Sequence, residues 1–339
     1  MQRFALFFTV FCLLVTLQLF WQNIMDDSFR PRRRLLRGQK ADAINIMESP
    51  KIHVVVVADQ AYAQRYTPVF DRMADYAHRH GYSWTVLGKD YFEARDGIIP
   101  EECVPYQSFF FLKHCLVAYW MEAENIPDSD AIFVLDSDNI PYRMEASLDD
   151  WTRFEETIVL YVRGWSEEIT AGNYMVRNTE AGRNFLKAWA HYNVHLPVGF
   201  SSYDNGALHI HLLRALGIEP PPRIGTCGML YHTLKSSATD LTEYWNFVTC
   251  ARNALGSNSE GDKDDDDRAK MQTFVNGSLS VRLLPQKHGF AVDHHLDQEP
   301  TNARGAVFHH NVKVNRDLTI EEHFVKRYNL ALPEGYTLV

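Results

Sequence analysis

The sequence predicts an α/β fold with a mixed, mainly parallel central sheet, preceded by an N-terminal membrane anchor. Three observations carry this. Apolar runs rich in β-branched residues alternate with helical periodicity between residues 52 and 135, as in strand–helix–strand units joined by right-handed crossovers. Phe4–Trp21 (FALFFTVFCLLVTLQLFW) is eighteen residues without a charge, about 27 Å as a helix and close to the hydrocarbon thickness of a bilayer. Charge divides the chain at the same place. Residues 1–40 hold seven Lys/Arg against Asp26 and Asp27, whereas the whole chain of 339 residues carries a net −9. The body is therefore strongly acidic, which argues against nucleic-acid binding, since that needs a basic face. With 46% hydrophobic and 13% aromatic residues, disorder and small disulfide scaffolds are excluded as well.

Taken in order, residues 1–21 read as a signal anchor with a short tail, and Trp21 suits the membrane interface. A cleaved signal peptide is the alternative, although no A-x-A site follows. Residues 22–49 are polar and basic without periodicity, and read as a stem. A single domain is expected over 50–330, with 331–339 as a tail. Ile52–Ala58 is a buried parallel strand. A helix over Tyr66–Arg79 ends at His80-Gly81, a C-cap signal. Ser83–Leu87 is a second strand, Gln107–Glu122 an apolar helix and Ala131–Leu135 a third strand. Farther on, Ile158–Val162 and Tyr174–Val176 read as strands, and Thr179–Tyr192 and Gly206–Leu216 as helices, the latter capped by Asp204 or Asn205. The stretch 256–268, with SNSEGDKDDDDR at its heart, reads as an acidic disordered loop; it lacks the spacing of a calcium loop. Cys103, Cys115, Cys227 and Cys250 allow three disulfide pairings or none, and form no metal knuckle. Asn276-Gly277-Ser278 is the one glycosylation sequon, a weak lumenal signal.

The chemistry concentrates where the third strand ends, in Asp136-Ser137-Asp138-Asn139. Ligands of open α/β sheets bind beyond the carboxyl ends of the strands. Asp136 follows a strongly apolar strand and Asp138 lies on the same side by two-residue alternation. Two converging carboxylates repel unless a cation lies between them, and hard oxygen donors suit Mg²⁺ or Mn²⁺. Capping of the following turn is the plainer alternative. Such a cation screens a diphosphate and stabilises charge on a phosphate leaving group.

VLDSDN resembles the metal-binding Asp-x-Asp of glycosyltransferases with a single Rossmann-like nucleotide-sugar domain, the GT-A fold. Further blocks extend the likeness. Tyr76–Trp84 (YAHRHGYSW) resembles the Golgi α-galactosyl- and xylosyltransferase family. Phe109–Trp120 (FFFLKHCLVAYW), Ile169–Gly182 (ITAGNYMVRNTEAG) and Tyr203–Leu213 (YDNGALHIHLL) are similar to a related, uncharacterised nucleotide-diphospho-sugar transferase-like domain known mainly from nematodes. The order of these blocks over residues 51–320 is the specific part of the resemblance.

The resemblance implies that Asp136 and Asp138 coordinate Mn²⁺ or Mg²⁺, with a late histidine as third ligand. GAVFHHNVK offers His309 and His310, of which His309 is preferred. It implies a nucleotide site drawing on Asp59 after the first strand, Lys113, Ser137 and Lys313. It also implies a sugar site drawing on Asn173 and Asp204, where a carboxylate holds hydroxyls or stabilises positive charge at the anomeric carbon. The expected activity is metal-dependent transfer of a hexose or pentose from a UDP- or GDP-sugar to a glycan or glycoprotein acceptor. The expected setting is the Golgi or ER membrane, type II with a lumenal domain. A non-catalytic sugar-nucleotide- or glycan-binding protein on the same fold is the rival. Asp-Asn-Gly at 204–206 departs from the galactosyltransferase pattern, and that family's late histidine-phenylalanine-valine-glycine-cysteine motif is missing. The donor sugar and the stereochemical outcome are therefore left open.

Overall fold

The computed structural model describes residues 51–88, 100–106, 109–197, 203–218, 226–235, 240–256, 271–293 and 305–311. The apolar segment 4–21, the stem, nearly all of the acidic loop, the tail and Lys313 lie outside them. Among the described residues, no helix is long and apolar enough to cross a membrane.

The chain opens with β1 (Ile52–Val57), α1 (Gln60–Arg65), α2 (Thr67–His80) and β2 (Ser83–Leu87). Gly81 ends α2 in the left-handed region, at φ 71°, where a side chain would cost conformational energy. Next come α3 (Phe109–Ala123), β3 (Ala131–Leu135), β4 (Ile140–Pro141), α4 (Asp149–Thr152), β5 (Ile158–Tyr161) and β6 (Tyr174–Arg177). Helices α5 (Glu180–Ala190), α6 (Tyr203–Ala215), α7 (Cys227–His232) and α8 (Thr242–Ala254) follow. The described part closes with β7 (Gln272–Asn276), β8 (Leu279–Leu284), β9 (Ala291–Asp293) and β10 (Phe308–His310).

Seven strands form one sheet in the order β2-β1-β3-β6-β5-β8-β7. The pairs β1–β2, β1–β3 and β5–β8 are parallel, whereas β3–β6, β5–β6 and β7–β8 are antiparallel. The sheet is thus mixed, as expected, but evenly so rather than mainly parallel. The antiparallel β6 inserts between β3 and β5, and one strand's residues do not reveal which neighbour will pair with it.

Alternation explains why the central strands are apolar throughout. Val55, Val57, Ile132 and Val134 face one core, shared with Leu116 of α3, Trp189 of α5, Leu208 of α6 and Phe247 of α8. Val54, Val56, Phe133 and Leu135 face the other, with Phe70 and Met73 of α2, Trp151 of α4 and Phe308 of β10. Strands covered on both faces have no polar side, and each fully buried Val, Leu or Phe stabilises the fold by about 1.5–3 kcal/mol. Of the pairings the cysteines allow, Cys103 bonds Cys115, fastening the segment before α3 to that helix. Cys227 bonds Cys250, joining α7 to α8.

A second, three-stranded sheet, in the order β4-β10-β9, lies against the DSDN turn. Strand β4 begins directly after that turn, and its antiparallel pairing sets His309 opposite Ile140. Continuing the register by one residue brings His310 level with Asn139. The chain's late segment is thereby delivered to the end of β3.

Candidate functional site

Asp136 leaves the carboxyl end of β3 with its side chain about one-third exposed, while Asp138, two residues on, is buried. Each oxygen of Asp136 has its own partner. Oδ1 lies 3.0 Å from Lys113 Nζ, and Oδ2 lies 3.4 Å from His310 Nε2. The same Nε2 is 3.4 Å from Asp138 Oδ1. One ligand atom each from Asp136, Asp138 and His310 therefore falls within 4.8 Å of the other two. Two carboxylates and an imidazole converging in this way offer the oxygen and nitrogen donors of a divalent-metal site.

The choice between the histidines is decided by the strand: His310, not His309, meets the aspartates. Successive side chains of a strand point to opposite faces. His309 turns away and stacks on Tyr142, with ring centroids 3.9 Å apart and planes 12° apart. His310, and not the expected His309, is therefore the histidine beside Asp136 and Asp138.

Lys113 also takes a different part from the one expected. It is buried on α3, and its Nζ bridges Asp136 Oδ1 and Asp204 Oδ2, the latter at 2.8 Å. Burial disfavours its charge, but the two carboxylates outweigh burial and raise its pKa. A lysine engaged by two aspartates holds the carboxylates in place rather than lying open to a nucleotide. Burial likewise pushes Asp136 up, yet Lys113 and His310 bring it down below the usual carboxylate range. Asp204 is raised, chiefly by burial. For His310, burial is outweighed by the charge of Asp138 and by hydrogen bonds to Asp136 and Asp293, and its pKa is pushed up to about 9.

Asn173 is fully buried. Its Oδ1 accepts from the Asp136 backbone N–H at 3.2 Å and from Asn139 Nδ2 at 2.8 Å. Through these two bonds Asn173 clamps the DSDN turn, a positioning contact the sequence did not indicate. Asp204 and Asn205 lie within the first turn of α6 and do not cap a helix beginning at 206. Asn205 Oδ1 accepts the Ala171 N–H at 2.6 Å, which fastens the loop before β6 to α6. Ser137 is half-buried in the turn between the two aspartates. Asp59 stands on the same sheet edge, after β1, but is exposed and caps α1 by accepting the Tyr62 N–H at 2.7 Å. Lys313 lies outside the described residues.

Several site residues were missed in the sequence. A Cβ on Gly172 would lie 2.3 Å from Asp136 Oδ2 and 3.3 Å from His310 Nε2, so only glycine lets these groups approach. Asp293 ends β9 and pairs with His310, its Oδ1 lying 2.7 Å from Nδ1. Its signal was available: AVD, like VLD, is a carboxylate following an apolar strand. Arg163, Trp165 and Glu168 carried no recognisable pattern.

A model of the family described as "Protein of unknown function, DUF273" matches residues 73–265, more than half of the chain. The chain belongs to this family. All the sequence blocks that carried the glycosyltransferase resemblance begin and end within the matched DUF273 region, although His310 and Asp293 lie beyond it. No curated protein matches the sequence. Among solved structures, this DUF273 chain is similar to a glycosyltransferase involved in glycosylation of the major capsid of PBCV-1. That match has 14% identity over 48% of this chain and 77% of the other, with a TM-score of 0.36. It is also similar to the glycosyltransferase GlyE of Streptococcus pneumoniae TIGR4, with 14% identity over 48% of this chain and 43% of that one, TM-score 0.33. A third is a mutant Drosophila β-1,4-galactosyltransferase 7 in complex with manganese, UDP-Gal and xylobiose. There the identity is 12% over 69% of this chain and 93% of that one, TM-score 0.30.

Proposed function

We propose that this DUF273 chain is a metal-dependent glycosyltransferase of the GT-A type, drawing its sugar from a nucleotide diphosphate. The observation that carries this reading is the convergence of Asp136, Asp138 and His310 at the carboxyl end of β3. Asp136 and Asp138 supply oxygen donors and His310 a nitrogen donor, a set suited to Mn²⁺ and, less closely, to Mg²⁺. When bound, the ion offsets negative charge on the departing nucleotide diphosphate.

The chain's own residues do the rest. Asn173 and Asn139 fix the turn that presents both aspartates, so the carboxylates are already oriented to receive the ion. Lys113 holds Asp136 and Asp204 at fixed positions on either side of its ammonium group. Asp204, buried and held by Lys113, is the carboxylate proposed to orient sugar hydroxyls. A hexose or pentose donor with UDP or GDP, and a glycan or glycoprotein acceptor, complete the proposal.

A lumenal setting with an N-terminal anchor over residues 4–21 is part of it. Disulfides persist in oxidising compartments, and the two pairs Cys103–Cys115 and Cys227–Cys250 support that placement.

The test is a thermal-shift screen of sugar nucleotides with and without Mn²⁺ on the full-length chain, followed by hydrolysis and transfer assays. One nucleotide class should stabilise the protein only when Mn²⁺ is present, because a ligand stabilises the state it binds. The double variant Asp136→Ala, Asp138→Ala should lose both this stabilisation and turnover. Unchanged turnover in that variant would falsify the mechanism, and binding without turnover across donors and acceptors would favour a non-catalytic sugar-nucleotide binder.

A further inference from the structure

Asp293 lies behind the candidate metal site, buried at the end of β9. Four donors converge on its carboxylate. Oδ1 faces His310 Nδ1 at 2.7 Å and accepts from Asn311 Nδ2 at 2.6 Å. Oδ2 accepts from Arg163 at 2.6 Å and from Trp165 Nε1 at 2.8 Å. Arg163 is itself held on its other side, with its Nε 2.6 Å from Glu168 Oε2. Glu168 accepts in turn from the Tyr244 hydroxyl of α8. The hairpin that carries Arg163 and Glu168 is closed by the Val162–Ile169 bridge and by the Arg163 N–H to Glu168 carbonyl bond.

An ionised carboxylate can only accept hydrogen bonds. The Arg163 guanidinium and the Trp165 indole can only donate, so Asp293 is kept ionised. The atom of His310 facing it must therefore carry a proton. With Nδ1–H turned to Asp293, a neutral His310 has its lone pair on Nε2, the atom that lies 3.4 Å from both Asp136 and Asp138. Ligating histidines commonly depend on such an outer carboxylate for ring orientation and basicity.

We propose that Asp293, braced by Arg163 and Trp165, is the positioning residue of the metal site, fixing the His310 tautomer and ring plane that aim Nε2 at the ion. This rests on the metal-site reading above. It adds a role for a late strand and for the 162–169 hairpin, which that reading does not use. The arrangement links the ligand set to α8 by one unbroken chain: His310, Asp293, Arg163, Glu168 and Tyr244.

The test uses the full-length chain and Mn²⁺ alone, titrated by EPR. Asp293→Asn should weaken Mn²⁺ about 10- to 100-fold. It should also diminish the nitrogen coupling of Mn²⁺-bound imidazole in pulsed EPR. Trp165→Phe keeps an aromatic side chain but removes the indole N–H donor, and should weaken binding by about threefold in the same direction; it serves if the Asn variant fails to fold. Glu156→Gln breaks the ion pair with Arg282 at the opposite end of β5 from Arg163. It controls for lost stability and should leave both readouts unchanged. Equal Mn²⁺ affinity and nitrogen coupling in wild type, Asp293→Asn and Trp165→Phe overturns the inference while leaving the metal site intact. A wild-type chain that takes up no Mn²⁺ overturns the metal reading itself, and this inference with it.

Discussion

At the residue scale, the site is a ledger of charge. Asp136, Asp138, Asp204 and Asp293 bring four carboxylates into or near one region, and Lys113, Arg163 and His310 answer them. His310→Ala should weaken Mn²⁺ by tenfold or more, about the worth of one ligand or its support. His309→Ala should leave Mn²⁺ affinity intact and lower the thermal midpoint, because it removes the stack on Tyr142. Equal Mn²⁺ titrations for the two variants would show that the histidines had been assigned wrongly. Lys113→Met leaves Asp204 buried without its cation, and breaking such a pair costs about 3–5 kcal/mol. Urea unfolding should report a fall of that order, and a midpoint matching wild type would mean the bridge contributes little.

Individual elements account for what their residues signalled. The strands Ser83–Leu87 and Ala131–Leu135 form as read, because both are hydrophobic runs with clear punctuation. The helix over 67–80 ends at Gly81 as its sequence indicates. The histidine pair shows the limit of such reading. Two adjacent identical residues in a strand differ only in the face they occupy, and the face depends on pairing with β4, about 170 residues earlier in the chain. Gly172 belongs to the same scale. Gly172→Ala should retain the far-UV circular dichroism of wild type yet lose Mn²⁺ binding, because the added carbon occupies the space of Asp136 Oδ2. Normal Mn²⁺ uptake by the alanine variant would show that the loop has room to yield.

Across the whole molecule, pH acts on buried histidines in two opposite senses. Burial pushes His209 down to about 4 and His211 to about 3. Unfolded imidazole binds a proton below about pH 6.5, and the folded rings do not, so stability should fall as pH drops from 6.5 toward 4. His310 works the other way in metal-free protein. Its raised folded value means that its contribution is full below about 6.5 and is lost as pH climbs to about 9. The urea midpoint in EDTA should therefore peak near pH 6.5 and decline on both sides. A profile flat from pH 4.5 to 8.5 would sink this account. Reduction of Cys103–Cys115 and Cys227–Cys250 should lower the thermal midpoint, since each cross-link limits the unfolded chain and is worth about 2–4 kcal/mol.

What the sequence determined by itself was local: the α/β class, the boundaries of the most apolar strands and helices, and the Asp136-x-Asp138 pair at a strand end. These follow from periodicity and burial, which are written into neighbouring residues. Only the tertiary structure decided which strands pair, and hence that β6 runs antiparallel between β3 and β5. It alone set His310 rather than His309 beside the aspartates, tied Lys113 to Asp136 and Asp204 and Asn173 to the DSDN turn, and brought Asp293 behind the ring of His310. The physical reason is the same in each case. A side chain's role at this site is set by residues 17 to 174 positions away in the chain, and the contacts joining them exist only once the two sheets have formed.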